Sequence, residues 1–346
     1  MTTSTPVRFA VVGLEHPHAY GLSLSLLGAG AELVAFHSDN ADGAASFAQL
    51  FASAERRDRV DQIIDDPGID VVVPVGVPAD RAAVAVAAMR AGKDVLADKP
   101  AVTTLDQLHS VATTQADTGQ IWSVYFSERL ESRATIRAAQ LVASGAVGTV
   151  AQVIGLGPHR LDLDTRPEWF LDPARTPGII ADLATHQIDQ FVHFTGADVD
   201  AVEIVASMVA NNAHPVHPTL EDYGEVVLRA GTSSGLVRVD WYTPDGLPSW
   251  GDVRLLVHGT EGSIEVRKNV DPGGRTGGDH LLLVDQRGVR RFDCARDPLP
   301  FAGQFLDDVR HRTAVHLDQR EVIGACELAL RAQVGAERRG HLRSAS

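Results

Sequence analysis

Over roughly its first 120 residues the chain repeats one pattern, a short apolar run followed by a helix-forming stretch, and this alternation constrains the fold more than any other feature. Val7-Arg8-Phe9-Ala10-Val11-Val12 reads as a buried strand, Gly13 begins a turn, and residues 19–27 are helical. A second strand, 33–36, ends in His37-Ser38-Asp39, and 44–54 reads as a second helix. The third strand is Asp70-Val71-Val72-Val73-Pro74-Val75, followed by an alanine-rich helix at 80–91. Gly92 caps that helix ahead of the strand Asp94-Val95-Leu96-Ala97, and 121–126 adds a last strand. Strands and helices alternating through short connections require a parallel, doubly wound sheet with right-handed crossovers. An α/β Rossmann dinucleotide-binding domain is therefore expected over residues 1–122.

Beyond that point the alternation breaks down. A helix at 133–144 precedes strand-like runs at 150–155, 202–210, 223–229, 235–241, 253–257, 263–266 and 280–284. Turns such as Thr243-Pro244-Asp245-Gly246 and Gly259-Thr260-Glu261-Gly262 separate many of them, which predicts a mostly antiparallel open sheet. Helices are expected at 180–195, 301–311 and 322–334, the glycine-rich loop 271–278 is expected to be mobile, and the charged tail after Gly335 to fray. Residues 123–346 thus read as an α+β domain for substrate binding and oligomerisation, and two domains suit 346 residues because single cores rarely grow past roughly 250 to 300.

A net charge of -14 argues against nucleic acid or an anionic membrane surface as partner, because phosphates would be repelled. Small molecules and further copies of the chain remain. The two cysteines, Cys294 and Cys326, have neither a disulfide framework nor a metal-ligand spacing. Met1-Thr2-Thr3-Ser4-Thr5-Pro6 lacks the basic and apolar regions of a signal peptide and no 18-residue apolar span follows, so a cytoplasmic location is expected.

Open α/β sheets place their chemistry beyond the carboxyl ends of the strands, and there stands Asp98-Lys99-Pro100. As a bare tripeptide it is an ordinary turn; after an apolar strand, desolvation can pull a lysine from about 10.4 toward neutrality, where it exchanges protons. A dinucleotide loop wants Gly-x-Gly-x-x-Gly after the first strand. Here Gly13-Leu14-Glu15-His16-Pro17-His18 keeps the first glycine and puts Glu15 and His18 at the other two positions. A carboxylate facing a pyrophosphate is repulsive, whereas Pro17 suits a helix start and His16 or His18 could donate to phosphate. Asp39 is placed to hold the adenosine ribose of NAD, while Ser38 leaves room for the extra phosphate of NADP. Val75, Val77 and Pro78, after the third strand, complete the cofactor candidates together with Asp98, Lys99 and Pro100.

The other chemical feature is Asp182 and His186, four residues apart on the expected helix, with Asp189 and His193 continuing the stripe. A solvated helix face would look the same, and so would a weak divalent-ion stripe; no metal site is expected, since adjacent turns of one helix rarely supply four ligands.

Taken together, the (Glu/Asp)-Lys-Pro after a Rossmann strand, the Gly178-x-x-x-Asp182-x-x-x-His186-x-x-Asp189 helix, Gly259-Thr260-Glu261-Gly262-Ser263 and Phe301-Ala302-Gly303-Gln304-Phe305-Leu306-Asp307-Asp308-Val309 resemble the Gfo/Idh/MocA oxidoreductases. These are relatives of glucose-fructose oxidoreductase and inositol dehydrogenase. The resemblance implies an NAD- or NADP-dependent dehydrogenase or reductase acting on a sugar, cyclitol or related polyol. Within it Lys99 contacts nicotinamide ribose and substrate, Asp182 binds a substrate hydroxyl, and His186 is the acid/base. It also implies that the open sheet face pairs subunits into homodimers or homotetramers. Asp98 stands where glutamate is commoner, and Arg81 and Ser127 where the family often has histidine and asparagine. The substrate pocket is expected between the domains, covered by residues 159–170, with Arg160 and Arg166 binding hydroxyls or a carboxylate and Trp169 stacking on a sugar ring. Two other functions reuse these residues: redox-neutral, NAD-dependent glycoside cleavage or elimination, and ligand binding or regulation by a homologue that has lost the cofactor.

Overall fold

A computed structural model describes residues 5–313, 315 and 317–342. The first four residues, read above for a leader, and the last four, part of the charged tail, lie outside the described residues. The chain forms two compact units, one of residues 1–125 with 300–323 and the other of 126–299 with 324–346.

In the first unit the order is β1 (Arg8–Val12), α1 (His18–Gly28), β2 (Glu32–His37), α2 (Ala41–Leu50), β3 (Glu55–Arg56), α3 (Asp61–Ile64), β4 (Val71–Pro74), α4 (Pro78–Arg90), β5 (Asp94–Asp98), α5 (Leu105–Thr118) and β6 (Trp122–Tyr125). The strands form one parallel sheet in the order β3-β2-β1-β4-β5-β6, the doubly wound arrangement expected. Every residue of β4 and β5 is buried, which is why both read as continuous apolar runs. Helix α2 starts at Ala41 rather than 44, because the Asn40 side chain accepts from the Gly43 N–H and caps it. Helix α5 was not anticipated; Thr104 caps its start and Gly119, at φ 66°, ends it. Because the strands are parallel, Gly13, Ser38, Val75 and Lys99 all follow strand carboxyl ends along one edge of the sheet.

The second unit holds α6 (Ser127–Leu130), α7 (Arg133–Ala143), β7 (Val150–Pro158), α8 (Thr185–Thr195), β8 (Glu203–Asn211), β9 (Tyr223–Ala230), β10 (Ser233–Asp240), β11 (Arg254–Gly259), β12 (Gly262–Arg267), β13 (His280–Asp285) and β14 (Gly288–Asp293). Then α9 (Phe301–His311) lies in the returning segment of the first unit, followed by α10 (Gln319–Val334) and β15 (Glu337–Gly340). The second sheet runs β14-β13-β12-β11-β7-β10-β9-β8-β15, antiparallel except where β7 meets β10 and β8 meets β15. The tail after Gly335 does not simply fray: 337–340 pairs with 208–211 and covers backbone groups that β8 would otherwise expose at the sheet edge.

Helix α8 corrects two expectations. Its first turn, Ile180–Ala184, is a wider π turn, so Asp182 and His186 are not on one uninterrupted α-helix. The helix is also no solvated face, since all residues from Thr185 to Val192 are buried. It lies on β7, where Gly155 lets it approach: a Cβ there would sit 2.4 Å from Gln187 Cγ. Its polar residues find partners on α6. Arg129 donates to Asp189 through two nitrogens, at 2.6 and 2.8 Å, and the Gln187 amide donates to Glu128. Among the described residues, no helix is long and apolar enough to cross a membrane.

Candidate active site

At the carboxyl edge of the first sheet the structure gathers most of the residues expected to face a cofactor. Gly13, at φ 83°, turns the chain so tightly against the β4–α4 loop that a Cβ would stand 2.2 Å from the Gly76 Cα. The glycine therefore serves backbone packing. Beyond it the Glu15 carboxylate folds back and accepts the Leu14 N–H at 2.8 Å, while the His18 N–H donates to His16 Nδ1 at 3.2 Å. Pro17 carries no N–H to offer.

The two imidazoles meet the carboxylate that ends β5. His18 Nδ1 is 2.7 Å from Asp98 Oδ1 and His16 Nδ1 is 3.5 Å from Asp98 Oδ2, with Asp98 wholly buried. Arg81 reaches the same place from α4. Its guanidinium lies 3.2 Å from Asp98 Oδ2 and donates to the carbonyls of Gly76, Asp98, Lys99 and Pro100 at 2.7 to 3.1 Å. One arginine thus ties the Asp98-Lys99-Pro100 turn to the Gly76 turn, and Lys99 leaves β5 from a pinned backbone. Burial works to raise the Asp98 pKa, yet His18, Arg81 and His16 outweigh it and hold the carboxyl far below the usual range. For His16 burial wins, helped by His18, Lys99 and Arg81, and its pKa falls well below the ordinary histidine value despite Asp98.

Among the described residues, His16, His18 and Asp98 form the group whose candidate ligand atoms lie close enough, within 4.8 Å, to hold a metal ion. The neighbouring cations Lys99 and Arg81, which depress His16, equally oppose a dication there. At the end of β2, Asp39 is fully in solvent, its side chain 96% exposed, while Ser38 is buried and its hydroxyl accepts the Asn40 N–H. Val75 and Val77 are buried beside Pro78, the first residue of α4.

Sequence reading recognised Arg81 only as a departure from the family pattern. An arginine near the start of an alanine-rich helix carries no local sign of the four carbonyls it will meet.

In the second unit, Asp182 lines a cavity of about 600 Å³ whose walls include Phe170, Trp241, Ile179, Glu221 and Gln333. Arg166 stacks beside that wall, its guanidinium carbon 4.6 Å from the Phe170 ring centre and 5.0 Å from that of Trp241. Burial lowers its pKa, and Asp182 and Asp162 oppose the shift. Glu221 is saturated: it accepts from the Ile179 N–H and the Gln333 amide and pairs with Arg338 at 2.9 Å. His186 is buried on α8 with its ring 6.3 Å from that of Phe126. Two expected substrate contacts are differently employed. Arg160 donates to the carbonyls of Pro244, Asp245 and Leu247, tying down a loop, and Trp169 packs edge-on against Phe170 at 6.3 Å. Phe170 and Trp241 supply the aromatic wall instead. Trp241 was not marked in the sequence, because a tryptophan ending a strand reads as core.

The six-stranded parallel sheet, in the order β3-β2-β1-β4-β5-β6, is a Rossmann-type nucleotide-binding fold. Residues 7–126 match the family model described as an oxidoreductase family with an NAD-binding Rossmann fold, and residues 135–265 match the GFO/IDH/MocA C-terminal domain. The chain belongs to the Gfo/Idh/MocA family, as an NAD(P)-dependent dehydrogenase or reductase. A structure assigned as an oxidoreductase of Erwinia carotovora atroseptica SCRI1043 is 40% identical, with a TM-score of 0.92 over 96% of this chain and 99% of that one. The scyllo-inositol 2-dehydrogenase (NAD(+)) of Bacillus subtilis is 26% identical over 300 residues, 84% of this chain and 80% of that protein. Levoglucosan dehydrogenase, solved with NADH and levoglucosan, shares the fold with a TM-score of 0.80 at 18% identity, over 95% of this chain and 96% of that one.

Proposed function

We propose that this chain interconverts a secondary alcohol and a ketone on a sugar, cyclitol or related polyol, using NAD or NADP. The observation that carries the reading is the cavity of about 600 Å³ lined by the Asp182 carboxylate and the aromatic faces of Phe170 and Trp241. Its size falls in the range of small-molecule sites, about 300 to 1,000 Å³, and its lining suits a ring with one apolar face and several hydroxyls. The inositol and levoglucosan dehydrogenases among the similar proteins support the same substrate class.

The residues fit a dinucleotide at three strand ends. Gly13 makes the tight turn after β1, Asp39 stands exposed after β2, and Lys99 leaves a pinned backbone after β5. Asp39 favours NAD, since a carboxylate accepts from ribose hydroxyls and repels a 2′-phosphate. When bound, the nicotinamide supplies the hydride acceptor or donor. His186 takes the proton of the reacting hydroxyl, Lys99 stabilises negative charge developing on that oxygen, and Asp182 orients the donor through a neighbouring hydroxyl. The outward face of the second sheet, with Val205 and Leu236 exposed, supports a homodimer or homotetramer, which light scattering of the purified chain measures.

His186→Ala is expected to lower kcat by about 100- to 10,000-fold on a responsive polyol while dinucleotide affinity, read by calorimetry, stays within about twofold. Unchanged turnover in that variant overturns the acid/base role.

A further inference from the structure

Two backbone N–H groups of the loop that should receive the pyrophosphate are already taken by the chain's own side chains. In a dinucleotide fold the turn after β1 and the start of α1 offer free backbone N–H groups to the phosphates. Here the Leu14 N–H is taken by the Glu15 carboxylate at 2.8 Å and the His18 N–H by His16 at 3.2 Å, and Pro17 has none. Glu15 Oε2 also lies over the two glycines of the turn, 2.8 Å from where a Cβ on Gly13 would stand and 3.5 Å from one on Gly76. The approach that glycines keep open for a phosphate is filled by an anion of the chain. Near it stand the cationic Arg81 guanidinium and Lys99, together with two imidazoles, on His16 and His18, whose Nδ1 atoms lie 3.5 and 2.7 Å from the Asp98 carboxylate.

We infer that Glu15 is a resident anion of the phosphate seat, which the pyrophosphate of NAD or NADP displaces on binding. This rests on the dinucleotide reading given above and deepens it, by naming the residue that sets cofactor affinity. The Glu15 side chain rotates out, the Leu14 N–H passes from carboxylate to phosphate, and part of the affinity is spent on that exchange. The role is one of specificity, because a carboxylate in the seat penalises ligands that bring too little phosphate charge to replace it.

The test is calorimetric titration of the full chain and of Glu15→Ala and Glu15→Gln with NAD+, NADH, NADP+ and NADPH at one fixed salt concentration, with thermal unfolding of each free variant as a check of folding. Removing a like charge from about 5 Å is worth about fourfold in Kd at the dielectric of bulk water and a few hundredfold at that typical near a protein surface. Glu15→Ala is therefore expected to bind at least one dinucleotide about tenfold or more tighter than the unaltered chain. Glu15→Gln should gain less, because its amide oxygen keeps the Leu14 N–H while the charge is gone; being isosteric, it also serves if the alanine variant misfolds. Equal or weaker binding by both variants, with the unaltered chain still binding, overturns the resident anion and leaves the dinucleotide reading intact. No binding of any dinucleotide by any of the three proteins overturns both. Binding by the variants alone would mean that Glu15 blocks the seat and is not displaced from it, and overturns the exchange.

Discussion

Asp98 shows how far a single residue can be read in advance. That a carboxylate and a lysine follow the β5 strand was plain from the sequence, and so was the chemistry such a pair offers. What holds them was not plain, because Arg81 lies 17 residues upstream and its contacts exist only once the β4 and β5 turns are side by side. The arrangement has a measurable consequence. The folded Asp98 carboxyl titrates far below its ordinary value, so its charge stabilises the fold above about pH 4, and this contribution is lost progressively as the pH falls below that. Asp98→Asn leaves the buried Arg81 uncompensated and should cost about 3 to 5 kcal/mol near neutrality. The loss should begin to shrink toward pH 3, where the unfolded carboxyl takes up a proton while the folded one stays charged. Urea unfolding of both proteins between pH 7 and 3 checks this, and a cost that stays constant across the range contradicts the ion-pair origin.

At the scale of elements, the strands were legible and the character of α8 was not. Alternating apolar residues in β9 to β13 mark one buried face whatever the neighbours, so period and turns sufficed to place them. Helix α8 carries Gln187, Asp189 and Gln190 among its apolar residues, a composition that suggests water on one side. Its polar side chains are instead met by Glu128 and Arg129 of α6, and pairing between elements leaves no trace in local periodicity. The close packing of α8 on β7 can be tested at two neighbouring glycines. A Cβ at Gly155 would meet the Gln187 Cγ and Cβ at 2.4 and 2.7 Å, whereas one at Gly157 would meet only the amide end, at 3.0 Å or more. The inner atoms are fixed by the helix backbone and the outer ones can yield. Gly155→Ala should therefore destabilise by about 1 to 3 kcal/mol in chemical unfolding and Gly157→Ala by clearly less. Equal costs would show that the helix moves as a body rather than the side chain adjusting.

For the whole molecule, the division into a parallel and an antiparallel sheet was visible in the change of rhythm after residue 122, but the return of the chain to the first unit was not. The segment Phe301 to Val309 reads as an amphipathic helix, and amphipathicity says that one face is buried without saying in which core. In the structure residues 300–323 complete the first unit. Phe301 packs against Tyr125 with ring centres 5.7 Å apart, the Gln319 side chain accepts the Trp122 N–H at 2.8 Å, and Arg312 pairs with the buried Asp94 at 2.5 Å. Without this segment the last strand of the sheet loses a partner for a buried N–H, and Asp94 keeps its burial without its cation. A polypeptide of residues 1–125 alone should thus show no cooperative thermal transition by circular dichroism. The Tyr125–Phe301 contact brings the two ends close enough for a short Gly/Ser linker to join residues 1–125 to 300–323, and that polypeptide should unfold in a single cooperative step. Cooperative unfolding of 1–125 by itself would mean that the returning segment only decorates a sheet already able to fold, and a non-cooperative linked polypeptide would mean that the first unit needs more of the chain than these two segments.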